Sequence, residues 1–476
     1  MRTYSEGAPR RLIAAAACLL GILAIAGSWA LDRGGQRPPS PDKLRALMVQ
    51  IDESDQRLHR GIRTRDRVLE AIAILEEARR EASRIEPATY RHALTRFIAF
   101  SQGEAHYFLG VLDTSRELLA TSEAFWQDAA AVPFETGQLT DLDPTVIASR
   151  GIKALSRHQP TACRGLAYEE MAIYRAPLAN ARQALHWRTQ ALAVFQGRDG
   201  PNYRTPEIEA QIRGAEEPIV LADLGQANVA IGALTDSLSY VNEGIHYLRQ
   251  AVTQHLQYQR PSALASAYEN LGLAYLRRAE LASSTAALDS AAMWLDQSLE
   301  MRSGYGRPLI YLRTKRELAQ VAALRSRLAA GDRKSQIADL QQALSTLESA
   351  LLLAESQKET AEIIFARLQT AEVRIDLAEI TADPIQIARA DSLLGSVEQS
   401  LDRERFPIEF AGLQVQRGRW ARIAWLERGD PALEQQAERA LQLAASIVPE
   451  SQHPHLHRQI RAESAALASG KANPPS

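Results

Sequence analysis

The segment HPHLH places His453, His455 and His457 within five residues, the one stretch of this chain that looks able to hold a metal ion. On a helix His453 and His457 would share a face one turn apart, while His455 would point away. No acid stands between them, as one does in the His-Glu-x-x-His helix of zinc peptidases. The cluster therefore reads as a solvated helix start. His158 and Cys163 are close in sequence, but nothing near them supplies an orienting third group or an oxyanion hole. Cys163 reads as a structural thiol. Asp141-Leu142-Asp143 lacks the spaced acids, glycine and closing glutamate of a calcium loop. Gly197 and Gly200, in GRDGPN, lack the lysine and the helix opening of a phosphate loop. No catalytic residue, metal ligand or cofactor-binding residue is assigned, and the chain is read as a non-enzyme.

The elements that would carry any site are helical. The 476 residues are 46% hydrophobic and 24% charged, a globular composition with material for a large core. A formal charge of −2 gives no global bias toward nucleic acid. The N-terminus differs from the rest. Arg2, Arg10 and Arg11 precede residues 12–31, LIAAAACLLGILAIAGSWAL, which hold no charge over a length that can span a bilayer. The flanking positive charge predicts a cytoplasmic N-terminus and export of residues 32–476 to the periplasmic or extracytoplasmic side, membrane-anchored or secreted. Ala24-Ile25-Ala26 and Ser28-Trp29-Ala30 both fit a signal-peptidase site, so a cleaved signal peptide and a retained anchor both stand. With Cys18 in this segment, Cys163 has no partner for an intramolecular disulfide in the exported part.

Self-similarity appears in the second half. LADLGQANVAI (221–231), YENLGLAYLRR (268–278), KRELAQVAALR (315–325), FARLQTAEVRI (365–375) and GLQVQRGRWAR (412–422) superimpose on Leu224, Leu271, Leu318, Leu368 and Val415. The period is about 47 residues, enough for two helices and two short turns. One step later stand Gly225, Gly272 and Ala319, then Gln369 and Gln416. A glycine inside a helix costs about 1 kcal/mol against alanine. A small residue beside a core leucine lets a neighbouring helix approach closely, which offsets that cost. Asp383-Pro384 and Asp430-Pro431 each place an N-cap ahead of a proline suited to the first helical position.

Tyr268, Leu271, Gly272 and Tyr275 on the first helix, with Ala291, Leu295 and Ser298 on the second, resemble the tetratricopeptide repeat (TPR). The length of the unit resembles the long-helix variety that accompanies CHAT peptidase domains. The His-Gly dipeptide that such a peptidase would need does not occur in the sequence. Armadillo and HEAT arrays have similar periods and stay open as the architectural alternative. The resemblance implies an all-α fold, a right-handed α-solenoid of antiparallel helix pairs behind the N-terminal transmembrane or signal segment. The expected divisions are a cytoplasmic n-region (1–11), the apolar segment (12–31), a Pro/Gly linker (32–43), an irregular helical-repeat region (44–216), the TPR-like array (217–470) and a tail (471–476). Residues 128–143 and 197–217 interrupt the helical rhythm.

In TPR arrays the first helix of each pair lines the binding face. Carried over by register, that position gives Gln226, Asn270, Arg313, Arg316, Gln320, Arg367 and Arg417 as candidate protein-binding residues. Arginine dominates the inferred stripe, so an acidic segment or a C-terminal carboxylate is the expected partner, held by guanidinium pairs. The expected function is an exported or membrane-tethered scaffold for protein–protein interaction, an accessory or assembly factor of the cell envelope. The alternatives are a ligand receptor or enzyme with an unrecognised site, or a regulatory partner of a separate peptidase. No cofactor and no nucleic acid are expected, and the oligomeric state is open.

Overall fold

The computed structural model describes most of residues 47–58, then 64–85, 88–113, 115–132, 158–174, 176–196, 206–303, 308–329, 331–358 and 360–472. The expected segment at 12–31, the linker at 32–43, Asp141-Leu142-Asp143 and the GRDGPN loop lie outside these residues. Among the described residues every regular element is an α-helix. In chain order they are α1 (Arg65–Ala82), α2 (Ala88–Asp113), α3 (Arg116–Ala131), α4 (His158–Tyr174), α5 (Pro177–Phe195), α6 (Pro206–Thr235), α7 (Leu238–Gln257) and α8 (Pro261–Ala282). There follow α9 (Thr285–Ser303), α10 (Pro308–Leu328), α11 (Arg333–Gln357), α12 (Thr360–Thr381), α13 (Pro384–Ser400), α14 (Pro407–Arg428), α15 (Pro431–Ile447) and α16 (Pro454–Ala472). They divide into two compact units, one within residues 1–171 and 183–220, the other within 172–182 and 221–476.

One turn design recurs inside the helix pairs of the second unit. Two residues connect α6 to α7, α8 to α9, α12 to α13 and α14 to α15. The first of each two is left-handed: Asp236, Ser283, Ala382 and Gly429 have φ of 59°, 49°, 56° and 69°. The second can cap the next helix. Ser284 Oγ accepts from Ala287 N at 3.2 Å, and Asp383 Oδ1 and Asp430 Oδ1 accept from Ile385 N and Ala432 N, both at 2.9 Å. A sharp left-handed step followed by a capped start reverses the chain and satisfies a free N–H of the new helix.

Small residues then set how closely each pair packs. A Cβ built on Gly225 would lie 2.6 Å from Leu248 Cγ, one on Gly272 2.6 Å from Leu295 Cγ, and one on Gly418 2.8 Å from Leu441 Cγ. In each case the leucine lies twenty-three residues after the glycine. Ala371 shares a core cluster with Leu394 at the same separation. Ala319 shares one with Leu344, two residues further on because the α10–α11 connection is longer. The same separation recurs in the first unit, where Gly103 faces Trp126 and Gly165 faces Arg188.

This packing corrects the expected register. In the fourth and fifth pairs the small residue is Ala371 or Gly418, two positions after the Gln369 and Gln416 that the sequence alignment put there. Thr370 and Arg417 therefore take the place of the core leucine.

The expected fold class is corrected in its membrane element. Among the described residues, the helix long and apolar enough to cross a membrane is internal, Arg213–Thr235 in α6. Its apolarity serves the array's core: Leu221, Leu224, Ala227 and Ile231 are buried, and Gly225 and Gly244 bring α6 and α7 together at their backbones. The all-α helical-repeat architecture stands without a membrane helix in front of it among the described residues.

Candidate functional site

The first helices of the second unit, α8, α10, α12 and α14, are buried on most of their circumference. On α8, α10 and α12 one stripe is polar at four of five positions, whereas on α14 it keeps Gln416 and Arg419 among Gly412, Ile423 and Leu426. With the small residue as position zero, the stripe holds positions −6, −2, +1, +5 and +8, consistent with a helical repeat of 3.6. On α10 these are Arg313, Glu317, Gln320, Leu324 and Arg327; on α12 they are Phe365, Gln369, Glu372, Asp376 and Glu379.

The candidate residues divide between this stripe and other faces. Gln226, at the matching position of α6, is exposed, and Asn270 and Gln320 are half-buried on the stripe. Arg313 joins them with its side chain 60% exposed. Arg316 is buried beside the stripe, over the Phe365 ring and 3.1 Å from Glu362 Oε2. Arg367 and Arg417 turn toward second helices. Arg367 donates to Ser396 Oγ at 2.6 Å and Glu355 Oε1 at 3.0 Å, and Arg417 to Asp391 Oδ1 at 2.6 Å and Glu398 Oε2 at 3.1 Å. The two-residue register difference explains their place, since Arg417 stands where Leu271 stands in α8.

Carboxylates of the chain itself answer the arginines. Glu362 takes both Arg313, at 3.4 Å, and Arg316. Glu269 is 2.8 Å from Arg302 and accepts from Thr314 Oγ1 at 3.1 Å. Toward the other end of the helices, Asp376 lies 3.0 Å from Arg327 and 2.6 Å from Arg419. Glu379 is bound by Arg419 and by Arg422, the latter at 2.8 Å, and Arg422 reaches Glu463 of α16 at 3.2 Å. Burial works against ionisation of Glu379, but Arg419 and Arg422 hold its carboxyl below the usual range. The stripe is a ladder of opposite charges, not a basic groove.

Sequence reasoning missed Gln369 and Gln416 on this face, whereas the repeat register places Glu317 there. Glu317 is 7% exposed, and its Oε2 has no hydrogen-bond partner. Burial, and then the neighbouring Glu269, push its carboxyl up to about 8. Perturbation of this kind collects at functional sites. The missing signal was the twenty-three-residue pairing of small residues with leucines, which would have put Gln369 and Gln416 in the column of Glu317.

The histidine cluster does not converge. His453 Nδ1 accepts from Leu456 N at 3.2 Å and caps α16; His455 Nδ1 lies 2.7 Å from Asp236 Oδ1; His457 Nε2 lies 2.7 Å from the Val448 carbonyl. Among the described residues no three His, Cys, Asp or Glu side chains are placed to hold a metal ion. The Cys163 thiol is 4.0 Å from Gln159 Oε1.

Neither a protein-family model nor a curated protein matches the chain. Among solved structures it is similar to a Rap protein complexed with Competence and Sporulation Factor, at 12% identity over 89% of this chain and 99% of that one, with a TM-score of 0.45. It is also similar to the Rap conjugation gene regulator of plasmid pLS20 in complex with the Phr* peptide, at 14% identity over 86% and 97%, TM-score 0.37. A putative kinesin light chain of Podosopora anserina, with nearly identical TPR-like repeats, matches at 15% identity over 50% and 95%, TM-score 0.33. These are helical-repeat proteins, and no CHAT-associated array is among the three. At such values the architecture rests on the chain's own geometry.

The expected location is corrected as well. The placement of residues 32–476 in the cell envelope is not kept: the membrane-length helix among the described residues is a core helix of the array, and the segment at 12–31 on which that placement rested lies outside the described residues.

Proposed function

We propose that this chain is a non-enzymatic helical-repeat receptor that binds a peptide or a protein segment along the polar stripe of α8, α10, α12 and α14. The observation that carries the reading is that stripe: a face polar at four of five positions, in register on α8, α10 and α12, with Gln416 and Arg419 continuing it on α14. Asn270, Arg313 and Gln320 are its accessible members, and Gln226 holds the matching exposed position on α6. An acidic segment or C-terminal carboxylate would meet Arg313 first. Arg316, Arg367 and Arg417 are engaged by carboxylates of the chain itself, so an acidic partner has to compete for them. Two similar structures are titled as complexes, one of them with a peptide; the same ligand class is proposed here on this chain's own geometry.

Selection of a random peptide library on the full-length protein tests this. Binders are expected, and Gln320→Arg, which fills the stripe with a longer side chain, should weaken them at least about tenfold, roughly 1.4 kcal/mol. Leu352→Arg, at an exposed position of α11, should leave them unchanged. Failure to select any binder, or binders sensitive to Leu352→Arg alone, would sink the reading.

A further inference from the structure

Gly412 of α14 is a glycine without a packing reason. Gly225, Gly272 and Gly418 each lie under a leucine of the partner helix, but a Cβ on Gly412 would meet nothing within 4 Å. It stands inside the helix, where no positive φ calls for it. Glycine there is destabilising relative to alanine, and no close contact within the chain offsets the loss. At the same distance from the small residue, α10 carries Arg313 and α12 carries Phe365. The glycine leaves the half-buried surface of α14 open to close approach.

The residues on either side of this opening lack partners. Glu409 is three residues before Gly412 and Gln416 four after, so both neighbour it on one face of the helix. Buried polar atoms are ordinarily paired, yet Glu409 Oε2 and Gln416 Oε1 are buried without a hydrogen bond. An ionised carboxylate and a carboxamide oxygen only accept. The group that fits between them donates.

Glu409 also lacks the counter-charge that its counterpart has. Nine residues before the small residue stand Glu362 on α12 and Glu409 on α14. Glu362 is met by Arg313 and Arg316 of α10, the preceding first helix. The register puts Phe365 and Leu368 of α12 where those arginines stand, and Leu368 packs on the apolar cluster that holds Phe410 and Leu413. Burial pushes the Glu409 carboxyl up, opposed by its own backbone N–H. A buried carboxylate is costly unless it is paired, and the partner it lacks is a cation. One carboxyl and one carboxamide are too few donors for a metal ion, which takes four or more. A primary ammonium group brings three N–H donors and one positive charge, with an alkyl chain suited to an apolar wall.

We propose that Glu409, Gly412 and Gln416 form a site on α14 for a small primary alkylammonium ion. The site is separate from the peptide-binding reading above and stands or falls without it.

The probe is butylammonium chloride added to the full-length protein, with 1-butanol and sodium chloride as controls for chain length and ionic strength. The amine should bind one to one by calorimetry and raise the melting temperature, as a ligand of the folded state does. Neither control should raise it as far. Glu409→Gln keeps the shape of the side chain and removes its charge, and should weaken amine binding at least about tenfold. Gly412→Leu fills the opening and should do the same with unchanged helical circular dichroism. If the leucine variant does not fold, Gly412→Ala, whose methyl has room, should still weaken binding roughly threefold. Butylammonium that stabilises no more than sodium chloride, or that binds any of these folded variants as well as the wild type, overturns the site. A response to 1-butanol equal to that of the amine overturns it too, because the opening would then be an apolar gap.

Discussion

Gly272 of α8 lies so close under Leu295 of α9 that a Cβ on the glycine would stand 2.6 Å from the leucine Cγ and 3.2 Å from the Ala291 carbonyl oxygen. Alanine is the better helix former by about 1 kcal/mol, but here its methyl has no room. Gly272→Ala should lower stability by about 1–3 kcal/mol, the range for overpacking. Gly412 of α14 supplies the control, because a Cβ there meets nothing within 4 Å. Gly412→Ala should raise stability by up to about 1 kcal/mol. Urea midpoints of the two variants should move in opposite directions; movement in the same direction would refute the packing argument.

That contact also marks how far the sequence could be read. Leu-Gly in two first helices, Asp-Pro at two helix starts and a period near 47 residues carry the helix pairs, because each is a local demand of backbone or packing. The register of the last two pairs was not legible. Ala371 and Gly418 are preceded by Thr370 and Arg417 where a leucine was the guide, and Arg417 is tolerated there because Asp391 and Glu398 receive it. Such partners lie 19 and 26 residues away on another helix, where no spacing rule announces them. The candidate stripe suffered for the same reason. Arginine types were visible in the sequence, and the carboxylates that neutralise them were not.

Glu317 makes stability depend on alkali. Its carboxyl is raised from 4.5 to about 8 in the folded chain, so the folded state binds more protons than the unfolded state across that window. Stability is therefore lost as pH rises from about 4.5 through 8. Glu317→Gln removes the titration. Its melting temperature should equal the wild type's near pH 4 and exceed it near pH 9, by at most a few kcal/mol in stability. An equal difference at both pH values would show that burial of this carboxyl is not the cause.

His453 acts in the opposite direction. Burial, and then His455, hold its imidazole down at about 4, and the neutral ring caps α16 by accepting from Leu456 N. Between pH 6.5 and 4 the unfolded chain takes up this proton first, so stability falls as pH falls through that window. The loss is bounded at about 3 kcal/mol and is reduced by solvent, since the ring is half-exposed. His453→Asn keeps a capping acceptor without the titration. Chemical denaturation at pH 7 and pH 4.5 should show a smaller acid loss for the variant; parallel losses would exclude His453 as its source.

Asp236 ties the α6–α7 turn to α16 more than two hundred residues later. Its Oδ1 lies 2.7 Å from His455 Nδ1 and accepts from Arg458 Nη2 at 2.7 Å. The residue also occupies the left-handed turn position at φ 59°, which Asp and Asn accept more readily than other non-glycine residues. Asp236→Asn therefore keeps the turn and removes the charge that two side chains share. The cost should be about 1–2 kcal/mol, the scale of hydrogen bonds to a charged group. It should appear locally, as faster amide exchange in the first turns of α16, with α8 and α9 unchanged. Asp236→Ala should cost more, because alanine at this φ adds backbone strain to the lost contacts. Unchanged exchange in α16 for both variants would mean that the helix is held by its apolar face, Leu456, Ile460 and Leu467, and not by this carboxylate.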